Sequence, residues 1–152
     1  MKMSLENWAS NRWLEKLGSD RAEIERLLAN ADGHLNDYRK AVASEMSADA
    51  QLSLAYDAIR ASATAALRAT GYRVVRGGGG EHYRTIEALE FSIDPKRKLI
   101  PSLDALRKKR NTGAYDDYGL VAQGEADLAG DLAAQVRKQV EDWIRKNHPD
   151  KI

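Results

Sequence analysis

The sequence predicts an all-α fold: an up-and-down antiparallel helical bundle of four long helices plus shorter ones, forming a single domain over residues 1–152. Three observations predict it. Apolar residues recur at steps of three and four over long stretches. The connections between those stretches are short and marked by Gly, Ser or Asp-Pro. No persuasive alternating strand is present, and residues 73–76 are too short to build a sheet.

Leu5, Ala9, Trp13 and Leu17 lie four apart and predict a short first helix, stopped by Gly18-Ser19. Asp20 followed three residues later by Glu23 reads as a capping box: Asp20 accepts from a free amide while Glu23 reaches back. The second helix follows, with Ile24, Leu28, Ala31, Leu35, Tyr38 and Val42 as one buried stripe. Ser47 caps a third helix reaching about Thr70. One of its faces is Leu52, Tyr56, Ile59, Ala63 and Ala66, another Leu54, Ala58, Ala61 and Ala65, which suits the centre of a bundle. Gly71 ends it, and residues 77–80 are all glycine, a flexible connector. They lack the Lys-Ser/Thr ending of a phosphate-binding P-loop.

A fourth helix starts near Glu81, turns Tyr83, Ile86, Leu89 and Ile93 inward, and breaks at Asp94-Pro95. A fifth covers 98–111, with Pro101 tolerated in the first turn. The last, 123–146, carries Leu128, Leu132, Val136, Val140 and Trp143 as its stripe. Its early acids Glu125, Asp127 and Asp131 suit the positive end of the helix. Trp8, Trp13 and Trp143 read as core or dimer-interface anchors.

Composition narrows the function classes. A formal net charge of +1 leaves only a local electrostatic footprint for nucleic acid. With no cysteine, disulfides, thiolate metal sites and cysteine nucleophiles are excluded together. No stretch approaches the roughly 20 apolar residues of a membrane span. Residues 1–11 hold one lysine and no apolar run of a signal peptide, so a cytoplasmic protein is expected. His34, His82 and His148 are scattered, without an i, i+4 partner; neither a metal site nor a cofactor is expected.

The concentrated chemical patch is 107–118. Leu99, Leu103, Leu106 and Arg110 are spaced four, three and four, so Arg110 continues an apolar stripe instead of leaving it. An inward guanidinium stays charged and costs several kcal/mol unless an anion or carbonyls satisfy it. The internal candidates are Asp116 and Asp117; the external one is a phosphate oxygen in a cleft or at a subunit interface. Around it, Lys96, Arg97, Lys98, Arg107, Lys108, Lys109 and Arg110 face a single acid, Asp104, within fifteen residues. Such a run is either a solvated basic face or a phosphate-binding surface whose affinity comes from counterion release.

The run Arg107-Lys108-Lys109-Arg110-Asn111-Thr112-Gly113-Ala114-Tyr115, preceded by Ala55-Tyr56-Asp57-Ala58 and Gly71-Tyr72-Arg73, resembles a HEPN-domain protein over most of the chain. The resemblance implies a helical bundle that dimerises, and either a metal-independent ribonuclease or a toxin paired with a small nucleotidyltransferase. The family motif is an Arg, a polar residue such as Asn, and a His four to six residues after the Arg. Arg110 and Asn111 match its first two positions, and Tyr115 stands where the His belongs. Tyrosine, with an ordinary pKa of about 10, is a poor base near neutral pH. A tyrosine that accepts a nucleotidyl group from the partner enzyme would fall at Asp117, one residue before Tyr118.

Three readings follow. The domain binds RNA or a nucleotide through Arg110, Asn111 and the neighbouring Arg107, Lys108 and Lys109; or it is a metal-independent endoribonuclease that recruits His82 as proton carrier; or it is an interaction subunit whose basic face docks on an acidic partner such as a nucleotidyltransferase.

Overall fold

Capping side chains fix where the long helices begin. The computed structural model describes residues 3–77, 79–115 and 119–152, with side chains for all of these except 112–115. Along the described chain run α1 (Leu5–Ser10), β1 (Leu14–Lys16), α2 (Arg21–Ala43), α3 (Ala48–Ala69), β2 (Tyr72–Val74), α4 (Glu81–Glu87), α5 (Ile100–Tyr115) and α6 (Gln123–Asn147). Short 3-10 turns cover Ala88–Phe91 and Pro149–Lys151. Asp20 accepts from the Glu23 amide at 2.8 Å, and Ser47 from the Ala50 amide at 3.1 Å, as their spacing predicts. The start of α5 is held by Asp94, buried, whose carboxylate takes the Lys98, Leu99 and Ile100 amides at 2.8, 2.9 and 2.8 Å. The Ile100 amide is one of those a helix start leaves without partners, and the other two fix the turn that leads into it.

The molecule is mostly helical, and α3 is its axis. It packs along both α2 and α6 and also meets α4, α5 and β2. Leu52, Tyr56, Ile59, Ala63 and Ala66 are buried on one face and Ala58 and Ala65 on the other, because the neighbours on both sides leave almost no free surface. Burying a leucine or isoleucine is worth about 1.5–3 kcal/mol. The stripes Ile24, Leu28 and Leu35 of α2 and Leu132, Val136, Val140 and Ile144 of α6 close on it.

A smaller apolar cluster lies beyond the end of α3. Trp8, Leu14, Leu67, Tyr72 and Ala88 are buried together, and the Trp8 ring meets Trp13 and Phe91 edge-on at 5.5 and 5.1 Å.

The structure corrects the expected course in four places. First, a sheet exists: β1 and β2 pair antiparallel, with Leu14, Glu15 and Lys16 opposite Val74, Arg73 and Tyr72. Three residues per strand are too few to show a period of two, so the pairing is a product of tertiary contact. Second, the first helix stops at Ser10; Arg12 turns the chain at φ 62°, and Trp13 and Leu17 leave the helical line. Third, Tyr83, Val42 and Leu128 point outward, while Ala126, Ala129 and Ala133 take the inner positions of α6. Small residues fit there because α3 and α6 approach closely. Fourth, Glu23 does not reach back to its helix start but pairs with Arg68, Nε to Oε2 at 2.6 Å and Nη2 to Oε1 at 3.2 Å.

Arg68 is 5% exposed, and its guanidinium also donates to the carbonyls of Leu17, Tyr72 and Gly18 at 2.8, 3.0 and 2.8 Å. All five of its N–H groups are thereby used. One side chain so ties α2 and α3 to one end of the small sheet.

Candidate functional site

Helix α5 is laid against α3 by Leu103 and Leu106, both buried, and Arg110 follows them one turn later on the same line. Its guanidinium points inward, as the spacing predicts, and meets a carboxylate from another helix: Nη2 lies 3.3 Å from Oδ1 of Asp57 in α3. The Arg110 guanidinium carbon stands 5.4 Å from the centre of the Tyr56 ring, a cation-π distance. Arg60, one turn along α3, brings Nη2 to 3.8 Å from the same Asp57 oxygen.

His82, in the first turn of α4, closes the group from the side, its ring centre 6.5 Å from that of Tyr56. Burial lowers the imidazole pKa below its ordinary value, and the nearby charges of Arg60 and Arg110 lower it further. The ring is therefore neutral at pH 7 and able to accept a proton. Tyr56 is fully buried, and burial pushes its phenol up to about 12 against the opposing pull of Arg60, Arg107 and Arg110. It keeps its proton and serves as a donor.

Hydrogen bonding in this cluster is incomplete. Tyr56 Oη, Asp57 Oδ1 and Arg60 Nε are buried without a hydrogen-bond partner among the described residues. The Arg110–Asp57 pair is close but not aligned as a hydrogen bond. A buried polar atom left without a partner costs about 1–3 kcal/mol, so three together on one helix turn mark a place poised for a polar ligand. Arg68, whose five N–H groups all meet acceptors of its own chain, is the contrasting case: it is structural.

The rest of the basic run is mostly tied up by acids. Arg107 Nε donates to Asp104 at 2.7 Å and its guanidinium lies 5.5 Å from the Tyr83 ring centre. Lys108 pairs with Asp104 at 3.3 Å and Lys109 with Glu125 at 3.5 Å. Arg97 pairs with Glu87 and Glu90. Lys96 and Lys98 lie exposed in the turn before α5. The Lys108 pair reaches into solvent and is worth at most about 1 kcal/mol, whereas Asp104, Glu87 and Glu90 are largely buried in their pairs with Arg107 and Arg97. Asn111 is half-buried beside Arg110. Tyr115 ends α5, but its side chain, like Asp116, Asp117 and Tyr118, lies outside the described residues.

Of the predicted site residues, then, Arg110 and His82 are brought to one cluster, with Arg107 at its edge, while Lys108 and Lys109 sit on the outer side of α5. Tyr56, Asp57 and Arg60 were not singled out for chemistry by their spacing. A Tyr-Asp pair followed by Arg three residues after Asp is a common helical pattern, and only the packing of α4 and α5 on α3 gives it meaning.

Comparison with known proteins gives no match to a family model, to a curated protein or to a solved structure.

Proposed function

We propose that this chain is a HEPN-like protein that binds RNA or a nucleotide, acting as a homodimer in a defence or toxin–antitoxin setting. Its anion site is formed by Arg110 and Arg60 beside His82. The observation that carries this reading is the inward Arg110 guanidinium, set 3.3 Å from Asp57 without hydrogen-bond alignment, next to buried polar atoms lacking partners. A phosphate oxygen is the anion that two guanidinium groups hold best, through planar paired donors. The test compares RNA binding at low salt by Arg110→Ala and by Lys40→Ala, an exposed lysine on α2. Arg110→Ala is expected to weaken binding much more. Equal binding by both variants leaves only the interaction-subunit reading, with a nucleotidyltransferase as partner.

A second reading, metal-independent endoribonuclease activity, is favoured by one observation: the lowered pKa of His82 beside Arg110. A neutral imidazole can take the 2′-hydroxyl proton of RNA, the role the resemblance gives to a histidine at the position of Tyr115. Labelled RNA incubated with the protein in EDTA decides it. Cleavage abolished by His82→Ala supports the reading, and absence of cleavage at any protein concentration removes it.

A further inference from the structure

A cleft of about 660 Å³ lies between α2, α3, β2 and α4. Of the cluster around Asp57, only Arg60 and His82 reach its wall. Along α3 the cleft runs from Arg60 past Thr64 to Leu67 and Arg68, a length of about 12 Å at the helical rise. Its two ends differ in chemistry. At the far end Arg68 and Glu23 neutralise each other, and Arg68 has spent every donor on that carboxylate and three carbonyls. At the near end Arg60 is held only loosely: its Nη2 is 3.8 Å from Asp57, its side chain is 39% exposed, and its Nε has no hydrogen-bond partner among the described residues.

Between the ends, Leu27, Leu67 and Val74 line the cleft with hydrocarbon. The hydroxyls of Thr64 and Thr85 donate to the carbonyls of Arg60 and Glu81, each at 2.8 Å, so neither has a proton left for an anion. Arg73 pairs with Glu15, and Arg26 and Arg76 are exposed, where water and salt screen their charge. The cleft therefore offers one cationic end and an apolar middle.

We infer that this cleft binds a small organic monocarboxylate, with its head on Arg60 beside His82 and its apolar body lying toward Leu67 and Val74. The site is additional to the one at Arg110 and does not rest on that reading. A carboxylate is the head that fits, because a guanidinium fork takes its two oxygens side by side. One loosely held cation matches one negative charge, whereas a phosphate ester brings close to two. His82, kept neutral at pH 7 by its burial, adds a ring N–H donor without adding charge. The length from Arg60 to Leu67 accepts a ring on a short chain, and a cleft of this volume is usual for such ligands.

The experiment titrates the full chain calorimetrically with phenylpropionate, beside controls that each change one feature. Propionate lacks the apolar body, phenylpropanol lacks the charge, and phenylpropyl phosphate exchanges the head. Phenylpropionate is expected to bind at least about tenfold tighter than propionate or phenylpropanol, and tighter than the phosphate ester. Arg60→Gln is expected to lose about tenfold or more for phenylpropionate while binding phenylpropanol as the parent does. Thr64→Phe sets a ring into the cleft from α3 and is expected to abolish binding of both. Helical circular dichroism checks the fold of each variant; if one is lost, the other and the ligand series still decide. Propionate or phenylpropanol bound as tightly as phenylpropionate overturns the inference, and so does a phosphate ester bound more tightly. Arg60→Gln binding phenylpropionate like the parent overturns it too, as does the absence of saturable phenylpropionate binding below about 10 mM.

Discussion

Asp57 and Arg110 face each other across the α3–α5 contact at 3.3 Å, with the carboxylate oxygen that meets the guanidinium accepting no hydrogen bond. The same oxygen is 3.8 Å from Arg60, so one acid holds two cations loosely. In the proposed site Asp57 is thus a competitor for the phosphate as well as a tether for the arginines. Asp57→Asn is expected to tighten RNA binding about three- to tenfold and to lower stability by about 1–2 kcal/mol, because two like charges lose their shared counter-charge. A titration of labelled RNA beside a urea melt checks both. Weaker binding would show that the carboxylate's main work is to aim Arg110.

His82 gives a pH dependence whose sign is set by the direction of its shift. Its pKa in the folded chain is below the ordinary 6.5, so the unfolded chain takes up the proton first as pH falls. The contribution to stability is full above pH 6.5 and declines as pH drops through 6.5 toward the folded value. His82→Gln is expected to remove that decline below pH 6.5, measured as denaturation midpoints across the acid range. A decline unchanged in the variant assigns it to other groups.

Arg68 and Glu23 offer a structural counterpart. Arg68→Ala leaves three carbonyls and a carboxylate without their shared donor and is expected to cost about 3 kcal/mol. The hydrogen bond from Arg68 is the main reason that Glu23 ionises below its ordinary 4.5. Its share of stability is therefore present above pH 4.5 and lost as pH falls through the lower folded value. Glu23→Gln is expected to flatten that acid limb in thermal melts. A variant as acid-sensitive as the parent would contradict the pairing.

Two helical glycines are expected to respond with opposite sign. A Cβ on Gly130 of α6 would fall 2.1 Å from the Tyr38 hydroxyl and 2.2 Å from the ring carbon that bears it, whereas one on Gly33 of α2 meets nothing within 4 Å. Gly33→Ala is expected to stabilise by about 0.5–1 kcal/mol through helix propensity alone. Gly130→Ala is expected to destabilise by about 1–3 kcal/mol, and Tyr38→Ala in the same chain should recover part of the loss. Calorimetric melts of the three variants check the pattern; a stabilising Gly130→Ala would mean that the Tyr38 ring swings away freely.

The helices were legible because their cores obey one local rule. The stripe from Ile24 through Leu35, the two-faced α3, and the caps Asp20 and Ser47 each depend on spacing within a single element. What stayed hidden depends on partners far along the chain. Leu14 pairs with Val74 sixty residues later, Glu23 finds Arg68, and Arg110 finds Asp57 on another helix. For the site, the inward aim of Arg110 was readable from its register with Leu103 and Leu106, but the identity of its counter-charge was not. His82 could be singled out as a candidate from its place beside the glycine loop, yet its position against Tyr56 follows from the packing of α4 on α3.

The two apolar clusters divide the tryptophans between them. Trp8 is buried in the small cluster with Trp13 packed beside it, while Trp143 packs on the main one. Indole emission from this chain is consequently a composite of two separately placed signals. Replacing Trp143 by phenylalanine leaves a fluorophore pair that watches the sheet and the turn after α4, next to the Arg84 guanidinium 4.2 Å from the Trp13 ring. Loosening of that corner can then be followed optically while the long helices stay folded.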